Sequence, residues 1–325
     1  MDATIVIPVY NGGSKLKGTL AAIKSQSSKY SFEVVVIDSG STDKSQEAVR
    51  AAGFKLYEIP NNEFGHGRTR NLGASKGSGR YIIFLTQDAM PASQKWLDSF
   101  IEAMDECPEA AGAFGRHIPY PECNLPDKQM LENHFLRFSL PDDYGGVELH
   151  ENYSVFSLNE GNKALYEEES GYRQYLGFYS DNSSCMRRSV WEKMPYPDVD
   201  FAEDQAWAAQ ILEAGYKKLY VPGAVVYHSH DYSMAQYKKR YYEDYASVYR
   251  VHGEDLAPTG FMALKRALGE TRYNISYIRR QEELDAGGKL YWSIYALRRN
   301  LIRYNAAYRA VRDIKKGNDS RRRDK

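Results

Sequence analysis

The sequence predicts an α/β fold, with a mostly parallel sheet flanked by helices and a helical C-terminal extension. In the first 118 residues, short runs rich in β-branched residues alternate with longer segments of helical periodicity, which is typical of strand–helix–strand units. Beyond residue 230 the helical periodicity continues without strand-like runs. A chain of 325 residues that is 42% hydrophobic can also bury a large core.

Each element of the first half follows from its local composition. The predicted strands are apolar runs, at Thr4–Tyr10, Phe32–Asp38, Lys55–Pro60, Tyr81–Thr86 and Ala110–His117. Segments with helical spacing separate them, at Ser14–Gln26, Asp43–Ala52, Arg68–Lys76 and Ser93–Glu106. Because ligands bind at the carboxyl ends of parallel strands, the polar residues that follow these strands mark a candidate site.

The second half is less regular. Residues 119–180 are rich in proline, glycine and aromatic residues, so we expect an insertion of short helices and loops there. We then expect a strand, a helix and another strand, at Gly177–Arg187, Ala202–Ala214 and Lys218–His228. Three long helices are predicted to follow, at Ser233–His252, Phe261–Leu284 and Tyr291–Lys316.

The net charge is zero, but it is unevenly distributed along the chain. Residues 1–256 carry 26 basic and 36 acidic side chains, and residues 257–325 carry 17 and 7. The basic C-terminal region predicts an anionic partner surface. The sequence lacks an apolar run of 18 residues and a signal-like N-terminus, so we expect neither a membrane-spanning helix nor a signal peptide. The three cysteines lack CxxC spacing, which makes a zinc site unexpected and fits a cytoplasmic location.

A phosphate ligand would need a divalent cation here. The first strand is followed by NGGSKLKG, which matches neither GxGxxG nor GxxxxGK[ST]. Oxygen ligands suit Mg²⁺ or Mn²⁺, and Asp88, just past a strand in TQDAMP, is the candidate ligand. His228 and His230, in YHSH at a strand end, are candidates to complete the metal's ligands. The alternative for both histidines is a hydrogen-bonded structural role.

Two adjacent acids begin the helix of FAEDQAW. Glu203 and Asp204 fit a general base at the edge of a cleft. A structural explanation is also open, because carboxylates in a first helical turn interact favourably with the helix dipole.

Four motifs occur in a familiar order: IPVYNGG, VVVIDSGSTD, RTRNLGASKGSGRYIIFLTQDAMP and FAEDQAW. From residue 4 to about 230 the chain resembles the family-2 inverting glycosyltransferases, which have the Rossmann-like GT-A fold. FGHGRTRNLGA, FLTQDAMP and GRHIPYP are most similar to bacterial rhamnosyltransferases that use dTDP-L-rhamnose. The resemblance implies a hexosyltransferase that moves L-rhamnose to a saccharide acceptor in cell-surface polysaccharide synthesis.

The resemblance also implies roles for individual residues. Asp204, beside Glu203, would be the catalytic base, and Asp88 would bind the Mg²⁺ or Mn²⁺ that bridges the two phosphates, with His228 or His230. Asp38 would accept a hydrogen bond from the N3–H of thymine or uracil. The remaining nucleotide-binding residues would be Pro8, Tyr10, Asn11, Arg70 and Asn71.

One departure from the family pattern concerns the metal. The family usually has DxD at this strand end, whereas this chain has Thr86-Gln87-Asp88 and keeps only the last acid. The metal would then have fewer protein ligands, and its binding would depend on the diphosphate.

These roles divide the chain into three regions. Residues 1–230 are the predicted catalytic domain, with a nucleotide-binding half, 1–118, and an acceptor-side half, 119–230, that contains the insertion. Residues 231–316 are a helical region, and residues 317–325 a disordered basic tail.

The last helix has the pattern of a membrane-surface element. Its predicted apolar stripe consists of Leu290, Ile294, Leu297, Leu301, Tyr304, Tyr308 and Val311. Its predicted basic face consists of Arg298, Arg299, Arg303, Arg309, Arg312 and Lys315. We therefore expect a location at the inner face of the cell membrane and a lipid-linked acceptor. Packing on the acidic body, or on a second copy in a homodimer, is the alternative, and no nucleic-acid partner is expected.

Three other functions are open at this point. The enzyme could use a UDP-sugar, could be a nucleotidyltransferase on a similar sheet, or could be a catalytically impaired membrane-bound adaptor. A nucleotidyltransferase needs a glycine-rich basic loop that NGGSKLKG matches poorly, and the intact acidic pair of FAEDQAW argues against an adaptor.

Overall fold

The computed structural model describes residues 1–199, 202–230 and 232–317. The predicted disordered tail therefore lies outside the described residues, apart from Gly317. Among the described residues, ten strands form one sheet: β1 Ala3–Val9, β2 Phe32–Asp38, β3 Lys55–Glu58, β4 Tyr81–Leu85, β5 Met90–Pro91, β6 Ala110–Ile118, β7 Val147–Leu149, β8 Ser154–Phe156, β9 Ser183–Arg187 and β10 Lys217–Tyr227.

The α-helices of the described residues flank the sheet or follow it in the chain. They are α1 Gly13–Lys24, α2 Ser45–Ala52, α3 His66–Ser75, α4 Trp96–Glu106, α5 Leu125–Leu136, α6 Lys163–Glu168, α7 Ser170–Leu176, α8 Arg188–Trp191, α9 Glu203–Glu213, α10 Met234–His252, α11 Gly260–Arg279 and α12 Ala286–Lys315. None of these helices combines the length and the apolar character needed to cross a membrane.

The sheet has the strand order β3-β2-β1-β4-β9-β6-β10-β8-β7, and β5 pairs with β10. The strands β3, β2, β1 and β4 are parallel to one another, and β6 is parallel to β10. Between these groups, β9 runs antiparallel to both β4 and β6. The predicted α/β fold is confirmed, and the antiparallel strands are an addition to it.

The chain forms two compact units. Unit 1 comprises Met1–Tyr120 and Glu132–His228 and contains the whole sheet. Unit 2 comprises Pro121–Leu131 and Ser229–Lys325, and contains α10, α11 and α12. The segment Pro121–Leu131 thus groups with the C-terminal helices, although its place in the sequence put it in the predicted acceptor-side half. The predicted domain limits themselves stay predictions.

The packing of α3 on β1 depends on a glycine. A Cβ at Gly73 would lie 2.3 Å from Val6 Cγ1, which is closer than any side-chain contact allows. The absence of a side chain therefore lets α3, which carries Arg70 and Asn71, approach the central strand.

Substituting alanine at Gly73 is expected to destabilise unit 1 by about 1–3 kcal/mol, because the added methyl overpacks the core. Urea unfolding should show a lower midpoint. The control is Gly269→Ala in α11, where no atom lies within 4 Å of the added Cβ. Equal midpoints for the two variants would contradict this account of the α3–β1 contact.

Unit 2 buries part of the predicted surface helix α12. Tyr304 and Val311 are buried, whereas Leu290, Ile294 and Leu301 are exposed, so the predicted stripe faces outward only in its first half. Arg299 is completely buried and pairs with Asp127 of α5.

The prediction of Arg299 on a solvent-facing basic surface is therefore wrong. Its guanidinium also lies over the rings of Tyr237 and Tyr241 of α10. Helical spacing cannot show that α5, more than 160 residues earlier, supplies the carboxylate that allows this charge to be buried.

Candidate active site

The carboxyl end of β2 presents a buried carboxylate. Asp38 is completely buried, and its Oδ1 accepts hydrogen bonds from the backbone N–H groups of Gly40 and Ser41, at 3.1 and 2.9 Å. The Gln46 amide also donates to Oδ1, at 2.8 Å. Among the described residues, Oδ2 has no hydrogen-bond partner. Burying a hydrogen-bond acceptor without a donor destabilises the folded protein. This oxygen is therefore suited to accept a hydrogen bond from a bound ligand.

Hydrogen bonds connect the loop after β1 to the loop after β2. Asn11 has the left-handed φ of 48°, and its Oδ1 accepts a hydrogen bond from the Thr42 N–H at 2.8 Å. Its own N–H donates to Ser41 Oγ at 2.9 Å. The neighbouring Tyr10 side chain is 47% exposed, and Pro8 lies within β1. Asn11 therefore shapes the loop and Tyr10 is accessible, while contacts of these three residues with a nucleotide stay predictions.

The residue before Asp88 joins the ends of β1 and β4. Gln87 Oε1 accepts a hydrogen bond from the Tyr10 N–H at 3.0 Å, and Gln87 Nε2 donates to the Tyr10 carbonyl at 3.1 Å. The sequence analysis gave Gln87 no role. The structure shows that it links the candidate metal loop to the candidate nucleotide loop.

Asp88 and His228 lie together beyond β4 and β10. Asp88 Oδ1 is 3.7 Å from His228 Nε2, and the two side chains are 19% and 11% exposed. The other ring nitrogen of His228 lies 3.4 Å from Asn182 Nδ2, which orients the imidazole. One carboxylate oxygen and one imidazole nitrogen at this separation fit a shared Mg²⁺ or Mn²⁺ that takes its other ligands from phosphate and water. His230 belongs to unit 2, and its part in metal binding stays a prediction.

Arg70 is held between two carboxylates. Its Nε lies 3.0 Å from Asp181 Oδ2, and its Nη1 lies 2.8 Å from Glu203 Oε1. Nη1 also donates to the His66 carbonyl at 3.1 Å. All three charged side chains are more than nine-tenths buried. The geometry favours a positioning role for Arg70 and Glu203.

Asn71 has partners within the protein as well. Its Nδ2 donates to the Tyr196 carbonyl at 2.9 Å, and its Oδ1 accepts hydrogen bonds from Trp191 Nε1 and from the Tyr196 N–H. Asn71 therefore connects α3 by hydrogen bonds to the loop that precedes α9. Direct contact of Arg70 and Asn71 with a nucleotide stays a prediction.

The sequence analysis missed Asp181. The hydroxyls of Ser184 and Tyr196 donate to its Oδ1, and Arg70 faces its Oδ2. Burial raises the pKa of Asp181 to about 6 in spite of Arg70, and the charge of Glu203 adds to the rise. Asp181 lies as a single acid inside the predicted strand Gly177–Arg187, so no motif or spacing marked it.

Asp204 lies in the first turn of α9, next to this buried group. Its Oδ2 accepts a hydrogen bond from the Asp181 N–H at 3.2 Å, and its Oδ1 accepts one from the Gln205 N–H at 2.8 Å. Burial, followed by the charges of Glu203 and Asp181, raises the pKa of Asp204 well above its usual value. A carboxylate with a raised pKa is a stronger base.

The turn into α9 is strained. Ala202, directly before Glu203, has φ 61°, a left-handed conformation that costs a residue with a Cβ about 1–2 kcal/mol. A strained conformation of this kind is often found at functional sites, and here it lies directly before the two acids that begin α9.

Two consecutive residues join the candidate base to the candidate metal ligands. The Asp181 N–H contacts Asp204, and the Asn182 side chain contacts His228. Asn182 also lies 3.5 Å from Thr86 Oγ1, the first residue of TQD. Neighbouring Cα atoms are about 3.8 Å apart, so the candidate base and the candidate metal ligands lie close to one another.

The pH dependence of activity should report the environment of Asp204. Activity should fall as the pH drops through the raised pKa of Asp204, because a base must be ionised to accept a proton. Glu203→Gln removes a negative charge that raises this pKa, so the acidic limb of the kcat–pH profile should move to lower pH. An unmoved or upward-shifted limb would contradict the coupling between the two acids.

The α/β sheet, with acids at its strand ends and at the start of α9, agrees with the architecture that the sequence predicted for a glycosyltransferase with the GT-A fold. Residues 4–161 match the sequence profile described as Glycosyl transferase family 2. The chain is 33% identical over 247 residues to the O-antigen chain rhamnosyltransferase RfbN of Salmonella typhimurium, covering 75% of this chain and 71% of that relative. It is 30% identical over 244 residues to the O-antigen chain rhamnosyltransferase WbaN of Salmonella anatum, covering 74% and 70%. The chain belongs to glycosyl transferase family 2.

Solved structures share this fold. One is the mannosyltransferase PcManGT from Pyrobaculum calidifontis in complex with GDP-Man and Mn²⁺, with a TM-score of 0.58 at 16% sequence identity. The superposition covers 96% of this chain and 87% of the PcManGT chain. Another is S. aureus TarS 1-349 in complex with UDP-GlcNAc, with a TM-score of 0.52 at 15% sequence identity. The superposition covers 98% of this chain and 92% of the TarS chain. The predicted GT-A architecture is confirmed.

Proposed function

We propose that this glycosyltransferase moves L-rhamnose from dTDP-L-rhamnose to a lipid-linked saccharide acceptor, with inversion at the anomeric carbon. The observation that carries the proposal is the Asp181–Asn182 link, which holds a candidate base and a candidate metal pair in one site. The choice of rhamnose is supported by the O-antigen rhamnosyltransferases at 33% and 30% identity.

Asp38 would bind the base of the donor. Its unpartnered, buried Oδ2 can accept a hydrogen bond from the N3–H of thymine. The accessible Tyr10 ring, with Pro8 and Asn11 in the same segment, would line the pocket. Arg70 and Asn71 would support this side of the site from α3.

Asp88 and His228 would hold Mg²⁺ or Mn²⁺ at the diphosphate, with His230 as a further candidate ligand. When bound, the cation neutralises charge on the departing dTDP. Asp204 would accept the proton of the acceptor hydroxyl as that oxygen attacks the anomeric carbon. Glu203 and Asp181, held by Arg70, would maintain the position and the raised pKa of Asp204. A single displacement of this kind inverts the anomeric centre.

A lipid-linked acceptor would place the enzyme at the inner face of the cell membrane, in cell-surface polysaccharide synthesis. The relatives act on O-antigen chains according to their names. No nucleic acid has a part in this reaction.

A panel of donors tests the proposal. Thermal shift would be measured with dTDP-L-rhamnose, UDP-GlcNAc and GDP-mannose, each with Mn²⁺, on the native chain and on Asp38→Ala. We expect the largest shift with dTDP-L-rhamnose and its loss in Asp38→Ala. A larger shift with a UDP-sugar would assign a different donor to the same fold, and no shift with any nucleotide sugar would overturn the proposal.

A further inference from the structure

Helix α11 of unit 2 has a second apolar face that is exposed. Phe261, Leu264 and Leu268 are 75%, 48% and 43% exposed, and they recur at intervals of three and four. The adjacent face, with Ala263, Ala267, Thr271, Asn274 and Ile278, is buried within the protein. A helix that needed only to pack in unit 2 would have polar residues on its outer face.

The charged residues of α11 that lie beside this exposed face are all positive. At about 100° per residue, Lys265 and Arg272 lie within about 40° of Phe261 around the helix, and both are exposed. The only acidic residue of α11, Glu270, is on the other side, where it contacts Arg303 and Tyr304 of α12.

We propose that the α11 face, defined as Phe261, Leu264, Leu268, Lys265 and Arg272, binds an anionic lipid surface. Apolar side chains bordered by cations fit acyl chains bordered by anionic headgroups. A symmetric pairing of two copies through this face would bring like charges together, which disfavours a homodimer. This proposal places the membrane-surface element on α11, whereas the pattern of the sequence predicted it on α12.

Cosedimentation with vesicles tests this proposal without donor or acceptor, so its failure is separate from failure of the proposed transfer reaction. The native chain should bind phosphatidylglycerol vesicles at low salt, bind less at high salt, and bind phosphatidylcholine vesicles weakly. The triple variant Phe261→Ser, Leu264→Ser, Leu268→Ser should lose binding. The variant Lys265→Gln, Arg272→Gln should weaken it about fivefold for each charge removed.

The matched control removes three exposed leucines from unit 1, as Leu136→Ser, Leu140→Ser, Leu149→Ser, whose native exposures are 59%, 51% and 44%. This control should bind vesicles like the native chain, and all variants should keep the native circular dichroism. The proposal is overturned if the native chain ignores phosphatidylglycerol vesicles or if the α11 triple variant binds like the control. It is also overturned if light scattering shows a native dimer that this triple variant converts to monomers.

Discussion

Replacing Asp204 by asparagine is expected to lower the rate of sugar transfer by about 10²–10⁴-fold, the usual contribution of a general base. The amide keeps the size of the side chain but cannot accept the proton. Donor affinity should stay unchanged, because Asp204 is placed on the acceptor side of the proposed site. Steady-state kinetics and donor titration separate the two effects.

A control on the same helix makes the Asp204 result specific. Glu213→Gln, at the exposed end of α9, should keep native turnover. If Asp204→Asn turned over at a rate close to that of Glu213→Gln, Asp204 would not be the base.

Asp88→Ala is expected to weaken Mn²⁺-dependent donor binding on the order of 10²-fold, because the metal loses its carboxylate ligand. Neither other residue of TQD is acidic, so the same strand end offers no replacement. Donor binding without added metal should be nearly the same in the variant and the native chain. Titration calorimetry with and without Mn²⁺ measures both quantities.

The exposed Asp143 provides the control for this variant. Asp143→Ala should bind donor and Mn²⁺ as the native chain does. Unchanged donor affinity of Asp88→Ala in the presence of Mn²⁺ would exclude Asp88 as the metal ligand.

The sequence predicted the residues that lie in continuous motifs. Asp38 ends an apolar strand, Asp88 follows another, and Asp204 lies in the first turn of a helix, so strand ends and helix starts located them. The alternation of strands and helices likewise predicted the α/β fold, although it carries no information about the antiparallel direction of β9.

The residues that were missed act through contacts distant in sequence. Asp181 reaches Arg70 and Glu203 only because β9 inserts beside β4. The link from Gln87 to Tyr10 spans 77 positions. Arg299 shows the same limit in unit 2, since its burial depends on Asp127, 172 positions away. Periodicity describes one element at a time and cannot show such partners.

The most direct test of the central claim is the nucleotide released from dTDP-L-rhamnose by the purified chain. We expect free dTDP with Mn²⁺, little with a chelator, and much less from Asp204→Asn. Release of pyrophosphate from dTTP and rhamnose 1-phosphate, without dTDP from the sugar nucleotide, would instead indicate a nucleotidyltransferase. Absence of both products, from a chain that still binds phosphatidylglycerol vesicles, would contradict a catalytic role and indicate an adaptor.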